Sequence, residues 1–247
     1  ILGVWEPLIT ADEETGAPAP CLAASWEMLD EGRIWMFHLR TGVRFHDGTP
    51  LTAQVVVANL DWMAKEPRST AFYSRSRKNY YPNLVRAEAV DDLTVRMTFS
   101  QPNINQLYNM MNFGSPIYAP SCLAADGSFT GTARGTGPFR IAENVQDRYV
   151  VLERNEDYYG EKARARRILI RTIPSPDVRF AALKAEEIMG VMDISGEMTL
   201  LCQVGKKLVN LLQVTLFPSS PALRGDAGTQ VSDTSPTWLR SVPTAVW

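Results

Sequence analysis

The chain has 247 residues, of which 45% are hydrophobic and 21% charged, with 16 glycines, 16 prolines and a net charge of −2. Disordered, fibrous and collagen-like classes are excluded. The near-neutral balance gives the whole molecule no electrostatic drive toward nucleic acid or an anionic membrane and favours a small-molecule or protein partner. At roughly 150 residues per domain, the length suits one large domain or two small ones.

The sequence starts at Ile1, with no basic and apolar leader ahead of the folded-looking part, so a targeting peptide is expected to be removed or absent. The longest uncharged run, Ser100 to Ala125, contains Asn103, Asn105, Asn109, Asn112 and three prolines, which excludes a transmembrane helix there. Three widely spaced cysteines, Cys21, Cys122 and Cys202, exclude a disulfide framework and CxxC-type sites and leave room for one long-range bridge. Charge is uneven: residues 1–50 carry three basic side chains against eight acidic ones. Residues 65–86 hold Lys65, Arg68, Arg75, Arg77, Lys78 and Arg86 against Glu66 alone, interleaved with Phe72, Tyr73, Tyr80 and Tyr81. That mixture mimics a nucleic-acid surface, but no RNA or DNA module accompanies it, and a solvated loop or the rim of a binding site is expected instead.

In chain order, residues 33–46 predict a β-hairpin, with Trp35, Phe37 and Leu39 alternating with Met36, His38 and Arg40 and a turn at Thr41-Gly42. Asp47-Gly48 supplies the next turn. Thr52 caps a helix whose apolar face is Val56, Val57, Leu60, Met63 and Ala64, ended by Pro67. A second hairpin joins 85–90 to 94–99 through Asp91-Asp92, with Val95, Met97 and Phe99 on one face. Pro102-Asn103 opens a short helix presenting Ile104, Leu107, Tyr108 and Met111. Residues 115–120 read as a loop, as does glycine-rich 131–138, whose glycines would supply positive φ before a strand. Strands are expected at 139–143, 149–154 and 168–173, a helix capped by Ser175 or Asp177 running to about Glu187, and a last strand at 191–194. Beyond Ser195 charged residues fall from 45 in 194 to 7 in 53, and from Pro218 onward loop or disorder is expected.

Catalytic constellations are scarce. The two histidines, His38 and His46, both fall in the first hairpin, so HExxH and multi-histidine metal sites are excluded, and two ligands do not make a zinc site. There is no GxSxG elbow. The loop Gly131-Thr132-Ala133-Arg134-Gly135-Thr136-Gly137 lacks the ending of a P-loop, and Pro138 stops a helix from following it. The acid pairs Asp91-Asp92 and Glu186-Glu187 occupy a turn and a helix end, where carboxylates serve solubility and local hydrogen bonds.

A family resemblance is carried by Pro20-Cys21-Leu22-Ala23-Ala24-Ser25-Trp26 and by the run from Trp35 through Phe37-His38-Leu39-Arg40-Thr41-Gly42-Val43-Arg44-Phe45-His46-Asp47-Gly48-Thr49-Pro50 to Ala53. Further motifs are 90–95, Gly135-Thr136-Gly137-Pro138-Phe139, Arg154-Asn155-Glu156-Asp157-Tyr158-Tyr159-Gly160 and 181–185. In this order they resemble family 5 extracellular solute-binding proteins, the oligopeptide, dipeptide and nickel-chelate receptors of ABC importers. The resemblance implies an α/β fold of mixed sheets and helices, periplasmic-binding-protein-like type II. Residues 1–194 would be the first-lobe region only, and 195–247 an atypical tail, poorly ordered or foreign to the family. It also implies a receptor that does no chemistry, needs no cofactor or metal, and hands a peptide or small solute to a membrane ABC permease. Such a receptor would be periplasmic or a membrane-anchored lipoprotein, monomeric, without nucleic acid.

By approximate position in the family, the ligand-binding side chains are Trp5, Tyr80, Tyr81, Asn112 and Phe113; the motifs themselves are mostly scaffold. Several departures stand out. No arginine occurs in Asn112-Phe113-Gly114, where nickel-chelate receptors tend to carry one for the chelator's carboxylate, which weakens the nickel alternative. Glu186 replaces the usual helix-end glycine and would be strained in the left-handed region. Gln54-Val55 replaces an acidic pair. The family's first strand should precede Ile1 and its second lobe should follow Ile194, so an incomplete receptor with a foreign or frame-shifted extension of about 50 residues is expected. From another class, a hydrolase could use carboxylates such as Asp47 or Asp157, but no nucleophile and base accompany them.

Overall fold

The computed structural model describes residues 3–64, 80–111, 115–131 and 134–191. By internal contact these fall into two compact units, 3–143 with 151–168, and 144–150 with 169–191.

The first unit is organised around a four-stranded antiparallel sheet of order β4-β5-β7-β6, built from β4 (Ala23–Leu29), β5 (Ile34–Leu39), β6 (Leu84–Ala89) and β7 (Thr94–Phe99). Alternation dictates its core face. Trp35, Phe37 and Leu39 of β5 are buried, and register places Phe37 opposite Val95 and Trp35 opposite Met97. Helix α1 (Ala53–Ala64) packs on β6 and β7, burying Val56, Leu60 and Met63. Thr52 Oγ1 accepts from Val55 N at 3.3 Å, the expected cap. Val57 is only half-buried and Ala64 is exposed, while Asn59 and Trp62 turn inward. The expected stop at Pro67 lies outside the described residues.

The 85–90/94–99 hairpin forms as the alternation predicts, with Asp91 Oδ1 accepting from Leu93 N at 2.8 Å in its turn. The 33–46 hairpin does not. β5 pairs with β4 across a turn at Asp30–Gly32 and with β7 on its other edge. Both edges being taken, Val43 and Phe45 instead bond to residues across Asp47-Gly48: Leu51 N donates to Val43 O and Phe45 N to Thr49 O. Their side chains still enter the core.

Residues 115–120 are also more ordered than a loop. β8 (Pro116–Ile117) pairs antiparallel with β1 (Glu6–Pro7), and a 3-10 turn covers Pro120–Cys122. Pro7 lies opposite Pro116, and two residues lacking N–H donors keep the ladder short. β2 (Ile9–Ala11) and β3 (Pro18–Pro20) form a second small pair. Of the face expected for helix α2 (Gln106–Met110), Leu107 and Met111 pack against the core, but Ile104 and Tyr108 are exposed and Gln106 and Met110 are buried instead. Gln106 is drawn in because its Nε2 donates to Tyr80 O at 3.0 Å while its Oε1 accepts from Asn103 Nδ2 at 2.7 Å.

β9 (Phe139–Val145), β10 (Tyr149–Arg154) and β11 (Arg167–Arg171) form a sheet of order β11-β10-β9. In the second unit, α3 (Pro176–Lys184) is capped by Ser175, whose Oγ accepts from Val178 N at 3.4 Å. It ends before Glu187. Glu186 adopts φ +59° and Glu187 N donates to Ala182 O at 3.0 Å, so the chain takes the left-handed exit despite the glutamate. Val191 belongs to no strand; 192–194 and the tail from Ser195 lie outside the described residues. Among the described residues no helix is long and apolar enough to cross a membrane.

Candidate functional site

Trp5 sits on a stretch, residues 3–6, that is pressed against residues 134–139. Gly137 N donates to Val4 O at 3.1 Å and Phe139 N to Gly3 O at 2.9 Å. A Cβ on Gly135 would come within 2.1 Å of Val4 O and 2.8 Å of Trp5 Cδ1, and one on Gly137 within 2.2 Å of Gly3 O. Neither glycine has positive φ, in contrast to Gly131 at +64°. The glycines at 135 and 137 are therefore required by backbone approach, not by the positive φ expected of this loop.

His46 holds the other side of the same loop. Its Nδ1 accepts from Gly135 N at 3.3 Å, which leaves Nε2 to donate to Gly137 O at 3.0 Å. Burial lowers its pKa below the ordinary 6.5, the Gly137 bond opposing.

Glu6 follows Trp5 and is buried, 9% exposed. Its Oε2 accepts from Thr136 Oγ1 at 2.7 Å; its Oε1 accepts from Tyr158 OH at 2.7 Å and Tyr159 OH at 3.1 Å. Burial raises its pKa above the ordinary 4.5, while the three hydroxyls and the Arg40 guanidinium pull it down. Arg40 donates from Nε to Cys21 O and lies 5.9 Å from the centre of the Tyr159 ring. Burial and the negative charge of Glu6 push the Cys21 thiol up to about 12. The same two causes raise both tyrosines well above their ordinary value.

An aromatic group backs Trp5. Its ring meets Tyr118 edge-on at 6.1 Å, and Tyr118 meets Trp62 at 5.9 Å and Phe129 at 4.8 Å. Asn59, fully buried on α1, clamps Tyr118: its Oδ1 accepts from Tyr118 N at 2.9 Å and its Nδ2 donates to Tyr118 O at 3.0 Å.

Of the residues expected to bind ligand, Trp5 is half-buried and touches Tyr118 just beyond β8. Tyr81 is buried in the core, its hydroxyl 2.6 Å from Ser115 Oγ just before β8. Its pKa is pushed up to about 12 by burial, the Ser115 bond opposing. Tyr80 is half-buried beside it. Asn112 and Phe113 lie outside the described residues, but they precede Ser115 by only two or three positions. Trp5 and Tyr81 thus meet the residues that flank β8, Tyr118 after it and Ser115 before it. Sequence reading missed Glu6, Asn59 and Tyr118. The available signal for Glu6 was a lone acid between Val4-Trp5 and Pro7-Leu8-Ile9.

The remaining candidates take local roles. Asp47 accepts from Ser121 Oγ at 2.6 Å and Thr49 N at 3.0 Å; partial burial raises its pKa, and these bonds outweigh it to leave a net lowering. The N–H of Asp157 donates to Asn155 Oδ1 at 3.2 Å in a turn. His38 lies 3.4 Å from Thr94 Oγ1 and 3.5 Å from Glu27, apart from the partners of His46. Cys21 and Cys122 are not bridged to each other, and Cys122 Sγ accepts from Arg134 N at 3.0 Å; Cys202 lies outside the described residues. Among the described residues no group of three or more His, Cys, Asp or Glu could hold a metal. Of the basic segment 65–86, residues 65–79 lie outside the described residues, and Arg86 pairs with Glu88 at 2.8 Å.

Comparison with known proteins points one way. The model of the bacterial extracellular solute-binding proteins, family 5 Middle, matches residues 17–224, past the change of composition at Ser195. The chain is 28% identical over 190 residues to the nickel-binding periplasmic protein of Escherichia coli, covering 75% of this chain and 35% of that protein. It is 30% identical over 186 residues to heme-binding protein A of Haemophilus influenzae, covering 67% and 34%. NikA from Brucella suis, solved in complex with Fe(III)-EDTA, superposes with a TM-score of 0.65 at 30% identity, covering 75% of this chain and 37% of that one. DppA from Helicobacter pylori, solved in complex with peptide STSA, superposes with a TM-score of 0.70 at 25% identity, covering 82% and 43%. The chain thus spans about two fifths of the solved structures it matches, and its fold is that of one part of a type II periplasmic binding protein.

Proposed function

Because the chain belongs to the bacterial extracellular solute-binding proteins of family 5, we propose that it forms part of the substrate-binding component of an ABC importer for peptides or related small solutes. It delivers its ligand to a membrane permease and performs no chemistry on it. The observation that carries this reading is the likeness of fold to a binding protein solved with a peptide. Trp5, Tyr80, Asn112 and Phe113 are assigned to one wall of the ligand site, and Trp5 is the member whose packing, on Tyr118, is described. Tyr81 is assigned to the scaffold that holds the wall, since its hydroxyl is used by Ser115. An aromatic wall with a few polar groups suits a short peptide, and closing it from the opposite side would bury the ligand. The protein works as a monomer in the periplasm or as an anchored lipoprotein.

A metal chelate is the second reading, favoured by the likeness to the nickel-binding periplasmic protein and to NikA with its chelate. Calorimetry and thermal shift against peptides of two to five residues and against a nickel–histidine chelate separate the two. The expected outcome is binding to peptides that Trp5→Ala weakens about tenfold, with the ligand recovered unchanged by mass spectrometry. Binding confined to the chelate would favour the second reading, and a hydrolysed product would remove both.

A further inference from the structure

The Glu6 carboxylate is a buried acid whose hydrogen bonds are all internal, on the residue next to the proposed ligand wall. We infer that Glu6 is a positioning residue for Trp5, and that taking up a proton at its carboxylate shifts Trp5, so that the wall responds to acid. The binding consequence rests on the reading of Trp5 given above; the movement of Trp5 does not.

Among the described residues, five groups face Glu6. Thr136 comes from the loop after Gly135, Tyr158 and Tyr159 from the turn after β10, the Arg40 guanidinium from just after β5, and the Cys21 thiol from the link between β3 and β4. Three hydroxyl hydrogens on two oxygens are the complement of an ionised carboxylate, which only accepts. A proton added to it must reverse one of these contacts. Two tyrosines converge on Oε1, so the proton goes to Oε2, and the Thr136 hydroxyl must then turn from donor to acceptor. Thr136 is 1% exposed, so its own hydrogen cannot simply turn to water. The adjustment falls on residues 135–137 and, through the bonds of Gly137 and Phe139 to Val4 and Gly3, on the stretch carrying Trp5. That stretch has no slack, because Val4 O, Trp5 Cα and Trp5 Cδ1 all lie within 2.8 Å of where a Cβ on Gly135 would be, too close to admit one. Burial raises the pKa of Glu6, which brings the change toward mildly acidic conditions. His46 is the other acid-titrating group on this loop: a proton on Nδ1 would abolish its bond to Gly135 N. Any test must separate the two.

The experiment labels the chain with 5-fluorotryptophan, assigns the Trp5 fluorine resonance with Trp5→Phe, and follows it from about pH 7.5 to about pH 4, across the range where Glu and His titrate. The expected result is a step in the Trp5 resonance that disappears in Glu6→Gln and survives in His46→Gln. Tyr159→Phe removes a donor to the ionised form and moves the midpoint to higher pH, which a purely structural role would not do. A Trp5 resonance without a step, or a step that survives Glu6→Gln, would overturn the inference. If Glu6→Gln does not fold, the Tyr159→Phe midpoint decides: a midpoint unmoved or lowered is the contrary result. A titrating Trp5 combined with Trp5→Ala that leaves peptide affinity unchanged would sink the ligand reading alone.

Discussion

The four-stranded sheet and the crossing of residues 3–6 over 134–139 lie in one unit yet are held by different forces. In the sheet, Trp35, Phe37, Val95, Met97 and the buried face of α1 exclude water, and the polar backbone is satisfied by a regular ladder. The crossing buries Val4 and Phe139, but its fit is set by close backbones and buried polar groups. Backbones approach there closely enough to require glycine; three hydroxyls satisfy the Glu6 carboxylate, and the His46 imidazole satisfies the backbone of Gly135 and Gly137. The first kind of packing tolerates a change of condition and fails through lost volume. The second fails through a single added atom or proton, which suits a segment that must place a binding residue accurately.

The largest expected effect tests the sheet. Phe37→Ala removes a fully buried ring stacked 6.2 Å from Trp35 and should cost about 3–5 kcal/mol in denaturant unfolding. The cost should be the same at neutral and mildly acidic pH, and one that varied strongly with pH would blur the contrast drawn here. Next comes the crossing: Gly137→Ala places a methyl 2.2 Å from Gly3 O and should cost about 3 kcal/mol although it deletes no apolar contact. Wild-type stability in this variant would mean that the backbones are not so close.

The pH dependence is smaller and has opposite signs at the two acid-sensitive groups. Glu6 has a folded pKa raised above 4.5, so its favourable contribution is present below that value and is lost as pH rises through the folded one. His46 has a folded pKa lowered below 6.5, so its contribution is present above 6.5 and is lost as pH falls toward the folded value. Unfolding free energies of wild type, Glu6→Gln and His46→Gln between these limits should show the two differences sloping in opposite directions; parallel slopes would contradict the assignment. The smallest effect lies outside both regions. Glu186→Gly relieves φ +59° after α3 and should stabilise the protein by about 0.5–1 kcal/mol, read as a raised midpoint of denaturation.

Local pattern made much of the sheet legible. The 84–99 hairpin, α1 with its Thr52 cap, the β9 and β10 strands and the Ser175 cap all follow from period, turn residues and capping chemistry in adjacent residues. The partner of β5 was not legible, because alternation identifies a strand and its inward face but not which of several edges it joins. Proline misled at 116–117, where losing two donors shortened a strand without preventing it. Gln106 misled because a buried carbonyl, that of Tyr80, recruited a polar residue to the inner face of α2. At the site, the aromatic character of Trp5 was visible and the acid beside it was not, since the partners of Glu6 lie 130 to 153 positions along the chain. Glycines 135 and 137 were visible as conformational residues, but the reason for them is a strand that crosses from the other end of the sequence.

Calorimetric titration of the chain and of Trp5→Ala with a panel of short peptides tests the central claim most directly, that this part of a family 5 solute-binding protein contributes one wall of a peptide site through Trp5. One wall should give measurable binding weaker than about 1 µM, or roughly −8 kcal/mol, reduced about tenfold by the substitution. Sub-micromolar affinity indifferent to Trp5→Ala would contradict the account.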